Sequence, residues 1–296
     1  MTEPAPVREL VETLGIPGVF DVHTHFYPEP MGTKVRAVFE TAGPLIGRPW
    51  PIKYRGTDDE LVATLEGFGV KRFSQLTYAH KPGMADFLNE WSVGFAQRFP
   101  AALRCGTFYP EPEAAEYVAT RLAEGVQLWK VHVQVGAFHV TDPLLDKAWG
   151  LIADAGTPVI LHAGSGPVGT EFTGPQPVAE LLHRHPTLPL VIAHLGAPEY
   201  EDFLTMAERH EHVRLDTTMA FTSFFNEMGG EFPGDLLPRL AALRDKVLLG
   251  SDFPNIPYAW SEQIDVLTAL TDRHQGIDDA WLRAVLWGNA AALFGD

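Results

Sequence analysis

Short apolar, β-branched runs recur along the chain at 18–23 (GVFDVH), 71–78 (KRFSQLTY), 102–108 (ALRCGTF), 125–133 (GVQLWKVHV), 158–162 (PVILH), 189–194 (PLVIAH), 212–217 (HVRLDT) and 246–252 (KVLLGSD). Each reads as a strand, and their nearly continuous apolar character suits strands buried on both faces of a parallel sheet. Between them lie stretches with helical apolar spacing: 58–69, 113–125, 142–156 and 199–210, several opening on an acidic residue or proline and closing on glycine. The stretch 280–294 reads as a closing helix. Strand and helix alternating in this way predict an α/β fold, a (β/α)8 TIM barrel, with an open doubly wound sheet as the alternative. No glycine-rich phosphate loop follows an early strand. Two long segments, 29–57 after the first strand and 221–233 after the seventh, read as loops that wall or cover a barrel mouth. No linker divides the chain, so 1–296 reads as a single domain.

Polar side chains punctuate this pattern at particular places. His23 and His25 close the first run, His132 the fourth, His162 the fifth, His194 the sixth and Asp252 the eighth. In a strand, residues i and i+2 share a face, so His23 and His25 converge on one point. All six residues fall at carboxyl ends of strands, the face on which barrel enzymes build their sites. The pairs His183/His185 and His210/His212 have the same spacing but precede strands, where a basic group near a helix C-terminus serves the helix dipole.

Imidazole nitrogens with a carboxylate suit one divalent cation, Zn²⁺ ahead of Mn²⁺, Fe²⁺ or Co²⁺. A site of His23, His25, His162 and Asp252 leaves a position for water, whose pKa a bound Zn²⁺ lowers to about 7. His194 is then placed to hold that water or to polarise a substrate carbonyl, and Asp252 to accept a proton. Lys130 shares a face with His132 by the i, i+2 rule, and both are expected to contact substrate. Phe26 and Tyr27, directly after the histidine pair, are candidates for an aromatic wall, with core filling as the alternative. Gly164-Ser165-Gly166 reads as a tight turn, Trp129 and Trp149 as packing, and His80 and His139 as loop residues near the mouth.

Composition narrows the partners. With 46% hydrophobic and 20% charged residues the chain is globular, and its net charge of −16 opposes nucleic acid and anionic membrane surfaces as partners. No apolar run approaches the roughly 20 residues of a membrane span, and no signal peptide is evident. The single cysteine, Cys105, excludes an internal disulfide or a cysteine-built metal site and fits a reducing cytoplasm.

The motif DVHTHFYP at 21–28, with VILHAG (159–164), VIAHLGAPEYEDF (191–203), RLDTTMA (214–220), LLGSDFPN (248–255) and GNAAALFG (288–295), resembles the amidohydrolase superfamily. It is most similar to the amidohydrolase-related branch that holds aminocarboxymuconate-semialdehyde and resorcylate decarboxylases. The resemblance runs from about residue 18 to 295. It implies one metal on His23, His25, His162 and Asp252, His194 as the catalytic partner of the water, and a homodimer. It implies either of two activities on a small-molecule substrate. One is hydrolysis of an amide, lactone or ester of a small organic acid through a metal-activated water; the alternative is non-oxidative decarboxylation of an aromatic or dienoic acid, for which Arg36, Arg48 and Arg55 are candidate carboxylate clamps. A carboxylated Lys130 bridging two metals, a metal-dependent deoxyribonuclease and a non-catalytic binding barrel are further readings; the deoxyribonuclease lacks its strand-four glutamate here.

Overall fold

A computed structural model describes residues 4–295. Eight strands alternate with helices in sequence order: β1 (Val19–Asp21), β2 (Val70–Phe73), β3 (Cys105–Thr107), β4 (Leu128–His132), β5 (Val159–His162), β6 (Leu190–Ile192), β7 (Val213–Asp216) and β8 (Val247–Leu248). All eight expected strands are present, each shorter than its apolar run. The run 71–78 shows why: only Val70–Phe73 forms a ladder, and Ser74–Thr77 stay buried in the connection that follows. An apolar run reports burial, and burial extends past the last ladder hydrogen bond.

The chain forms two compact units, one of residues 1–73 with 216–296 and one of residues 74–215. In the first, β1 and β2 pair in parallel. Asp58–Gly67 is helical because Thr57 and Glu60 form a reciprocal capping box, satisfying the first free N–H groups. The segment 29–57, expected as a long loop at the barrel mouth, carries helices at Met31–Thr41 and Gly43–Ile46. It is tied down by Trp50 Nε1 donating to Asn255 O (2.6 Å), Lys53 N donating to Ile256 O (2.9 Å) and the Arg48 guanidinium lying 4.1 Å over the Phe224 ring. The closing helix is present and runs through a π-turn at Ala284–Gly288, between Asp279–Arg283 and Asn289–Phe294.

In the second unit, β3 to β7 lie side by side in sequence order, every pair parallel. The β4/β5 register sets His132 opposite His162, so two histidines some thirty residues apart reach the same height. Trp129, Trp149, Phe108 and Phe203 are buried with these strands, as expected of packing residues. Gly164 is required by crowding: a Cβ there would lie 2.3 Å from Ala197 O.

Cys105 opens β3 and is buried, with Gln75 N donating to its sulfur at 3.5 Å. Burial pushes its thiol up to about 12, because the thiolate finds no water there. A disulfide reagent at about pH 8 is therefore expected to leave the folded protein unmodified and to label one thiol per chain once it is unfolded. Rapid labelling of the native protein would contradict this burial.

Candidate metal centre and histidine row

Within the first unit, the chain leaving β1 is caught by the chain leaving β8. Val22 N donates to Leu249 O (2.9 Å), Asp252 N to His23 O (2.8 Å) and His25 N to Phe253 O (2.7 Å). Sequence pattern places His23 and His25 on the strand itself; here the ladder of β1 ends at Asp21, and these cross-links keep the histidines aligned beyond it. Their ring centroids are 5.1 Å apart. Asp252 reaches them from the other segment, its Oδ1 2.9 Å from His25 Nε2 and 3.5 Å from His23 Nε2. It does so with φ at 69°, a conformation uncommon for a residue with a Cβ and one that recurs at functional sites.

His23, His25 and Asp252 each offer one ligand atom, and these atoms lie within 4.8 Å of one another. It is the one such group of three among the described residues. Two imidazole nitrogens and a carboxylate oxygen fit a borderline-soft divalent cation. The surroundings fit too. His23 Nδ1 is 2.9 Å from Asp216 Oδ2 with both side chains buried, the carboxylate–histidine pairing that steadies metal-bound imidazoles. His25 stacks on Tyr27, planes 5° apart and centroids at 5.8 Å.

Behind the histidines lies Asp21. Its carboxylate accepts from Ser251 Oγ (2.6 Å), Trp260 Nε1 (3.0 Å) and His23 N (3.2 Å). Burial raises its pKa to about 7, outweighing the hydrogen bonds from Ser251, Trp260 and His23 that favour the ionised form. Gly250 makes the packing possible, since a Cβ there would sit 2.1 Å from Thr218 Oγ1 and 2.7 Å from His23 Cβ.

The second unit holds a row of three histidines. His132 and His162 stack face to face, centroids 4.0 Å apart and planes at 13°, and His194 meets His162 edge-on at 4.9 Å. His162 Nε2 is 3.2 Å from Gly166 O. A carbonyl only accepts, so Nε2 carries the hydrogen. His132 carries its hydrogen on the same nitrogen: its Nδ1 accepts from Val135 N at 3.4 Å, so its hydrogen is on Nε2. His194 lies in a short turn past β6, at φ 57°. Lys130 is buried in β4.

Other expected site residues fall as follows. Phe26 is buried against Phe73 at 5.6 Å, the packing alternative, while Tyr27 remains beside His25. The three arginines of segment 29–57 meet carboxylates of the chain itself: Arg36 with Glu29 (2.9 Å), Arg48 with Glu227 (2.6 Å) and Arg55 with Glu40 (2.7 Å). Ser165 donates through both its backbone N–H and its hydroxyl to Glu199, which supports reading 164–166 as a turn. Sequence reasoning missed Asp216 and Asp21. The signal for Asp216 was available, since it closes β7 just as Asp252 follows β8, but Asp-Thr-Thr also reads as ordinary turn chemistry.

A family model described as amidohydrolase matches residues 20–295. The chain belongs to the amidohydrolase family. Among solved structures, this amidohydrolase is similar to an uncharacterised TIM-barrel protein from Bordetella bronchiseptica, at 19% identity over 93% of this chain and 98% of that one, with a TM-score of 0.71. It is similar to a probable 2-pyrone-4,6-dicarboxylic acid hydrolase from Acinetobacter baumannii with citric acid bound, at 15% identity over 94% and 100% of the chains and a TM-score of 0.61. The 5-carboxyvanillate decarboxylase of Sphingomonas paucimobilis stands equally near, at 15% identity over 94% and 99% with a TM-score of 0.61. No protein of curated function matches the sequence. At these identities the structural likeness establishes the fold alone, and that fold is the expected TIM barrel. No helix among the described residues is long and apolar enough to cross a membrane.

Proposed function

We propose that this amidohydrolase is a metal-dependent hydrolase that opens an amide, lactone or ester bond of a small organic acid. The observation that carries the reading is the His23–His25–Asp252 cluster, three ligand atoms within 4.8 Å, with Asp216 behind His23. One divalent cation, with Zn²⁺ the first expectation, is the proposed occupant, and it supplies Lewis acidity to water or to a substrate carbonyl. Asp252, whose side chain is 14% exposed while His23 and His25 are buried, is the member of the cluster able to take a proton from an attacking water. His162, which the family resemblance places among the ligands, is the proposed further ligand. His194 is the proposed proton carrier, and His132, Lys130 and Tyr27 the proposed substrate contacts.

The second reading, a metal-dependent decarboxylase, is favoured by one observation: a decarboxylase and a hydrolase stand at the same structural similarity to this chain. Against it, each candidate arginine clamp already meets a carboxylate of the chain.

Elemental mass spectrometry of the purified protein beside a His23→Ala/His25→Ala variant tests the metal. About one zinc or manganese per chain, absent from the variant, is expected. No metal after reconstitution would sink the metal-dependent reading. Assays for hydrolysis across amide, lactone and ester panels, run beside CO2 release from hydroxybenzoates, then decide between the two reactions.

A further inference from the structure

We infer that Asp216 is a positioning residue that fixes His23 in its Nδ1–H tautomer and thereby aims the Nε2 lone pair at Asp252 and His25. The inference rests on the metal-dependent reading for its purpose, though the tautomer itself can be observed without a metal.

Three features of the first unit carry it. Asp216 Oδ2 stands 2.9 Å from His23 Nδ1, and an ionised carboxylate only accepts, so the hydrogen of the ring belongs on Nδ1. His23 Nε2 then faces Asp252 Oδ1 at 3.5 Å, an acceptor pointed at an acceptor, which is an arrangement that a cation stabilises. Thirdly, Asp216 cannot turn freely. Its other oxygen, Oδ1, accepts from Thr218 N at 3.1 Å, and Gly250 leaves no space between Thr218 and His23. The two carboxylate oxygens therefore have separate tasks: Oδ1 holds the chain after β7, and Oδ2 orients the imidazole.

That division makes asparagine an informative replacement. In Asp216→Asn the Thr218 N–H still demands an oxygen at the Oδ1 position, so the amide NH2 takes the Oδ2 position and faces His23 Nδ1. A donor there requires Nδ1 to accept, which moves the ring hydrogen to Nε2 and blocks the nitrogen that faces the cluster. Asp216→Ala removes the orientation without imposing the wrong tautomer. A purely structural role predicts that the isosteric asparagine is the milder change in every measurement. A tautomer role predicts a crossing: asparagine milder than alanine in folding stability, but harsher in metal affinity.

The experiment compares wild type, Asp216→Asn and Asp216→Ala by zinc affinity in competition with a chromophoric chelator, by urea unfolding of the chelator-treated proteins, and by imidazole ¹⁵N shifts of His23 at about pH 9, above the usual imidazole range. Expected are a loss of zinc affinity in Asp216→Asn at or beyond the 10–100-fold typical of such supporting residues, a smaller loss in Asp216→Ala, and ¹⁵N shifts inverted between wild type and Asp216→Asn. Asp216→Asn retaining zinc affinity within about twofold, or keeping the Nδ1–H pattern, would overturn the inference. Wild type that binds no zinc yet shows Nδ1–H, with the pattern inverted in Asp216→Asn, would defeat the metal reading and leave the assignment of Asp216 standing.

Discussion

Replacing Gly196 by alanine is expected to cost about 3–5 kcal/mol of folding stability. Two independent effects add at this position. Its φ is +79°, where a Cβ-bearing residue is strained by about 1–2 kcal/mol. A Cβ there would also lie 2.0 Å from the Phe203 ring, and Phe203 is fully buried, so the ring has no space to yield. Overpacking of this kind costs about 1–3 kcal/mol and more when the neighbour cannot move. Gly156→Ala provides the control, because φ is +64° with no atom within 4 Å of the added carbon. Urea unfolding should show about 1 kcal/mol for Gly156→Ala and several times that for Gly196→Ala. Equal losses in the two variants would mean that the contact with Phe203 is not tight. Since Gly196 lies two residues past His194, the same variant should also disturb the histidine row.

Asp21 should give the largest pH-dependent effect. With a pKa near 7 in the folded chain against an ordinary 3.8, the folded state binds the proton more tightly than the unfolded state does. Its contribution to stability is fully present below about pH 4 and is lost as the pH rises through about 7, by up to about 4 kcal/mol. In chelator-treated protein, wild type should therefore lose stability relative to Asp21→Asn between about pH 4 and 7. Asp21→Ala should be destabilising throughout, by about 2–4 kcal/mol, because it removes the acceptor of the buried Ser251 hydroxyl, Trp260 indole and His23 amide donors. Urea unfolding at about pH 5 and about pH 8 reads both effects. Parallel pH profiles for wild type and Asp21→Asn would show that the carboxyl is ionised across the range.

What the sequence made legible follows from what patterning encodes. The strand-helix alternation and the strand-end positions of His132 and His162 depend on burial and register, and both are local enough to read along the chain. The convergence of His23, His25 and Asp252 was legible for a related reason, because each stands at or just past the end of an apolar run. Segment 29–57 was not legible as helical. Its helices at Met31–Thr41 and Gly43–Ile46 sit amid proline and glycine, and distant anchors such as Trp50 on Asn255 hold the segment that contains them. The strand lengths were over-read because residues such as Gln75 and Thr77 are as buried as the ladder before them. Asp216 escaped notice because its partner, His23, lies 193 residues away, and no local pattern reports such a pair.

That separation also has a consequence in time. The unit that holds the candidate metal centre is assembled from two stretches distant in sequence, and 227 residues separate His25 from Asp252. At roughly 5–20 residues per second of synthesis, the histidine pair leaves the ribosome roughly 10–45 s before the carboxylate that completes the cluster. The intervening residues 74–215, a contiguous stretch, emerge entirely within that interval. A nascent chain halted before residue 252 would offer a cation the two histidines without their aspartate, so loading of the proposed centre has to wait for residue 252.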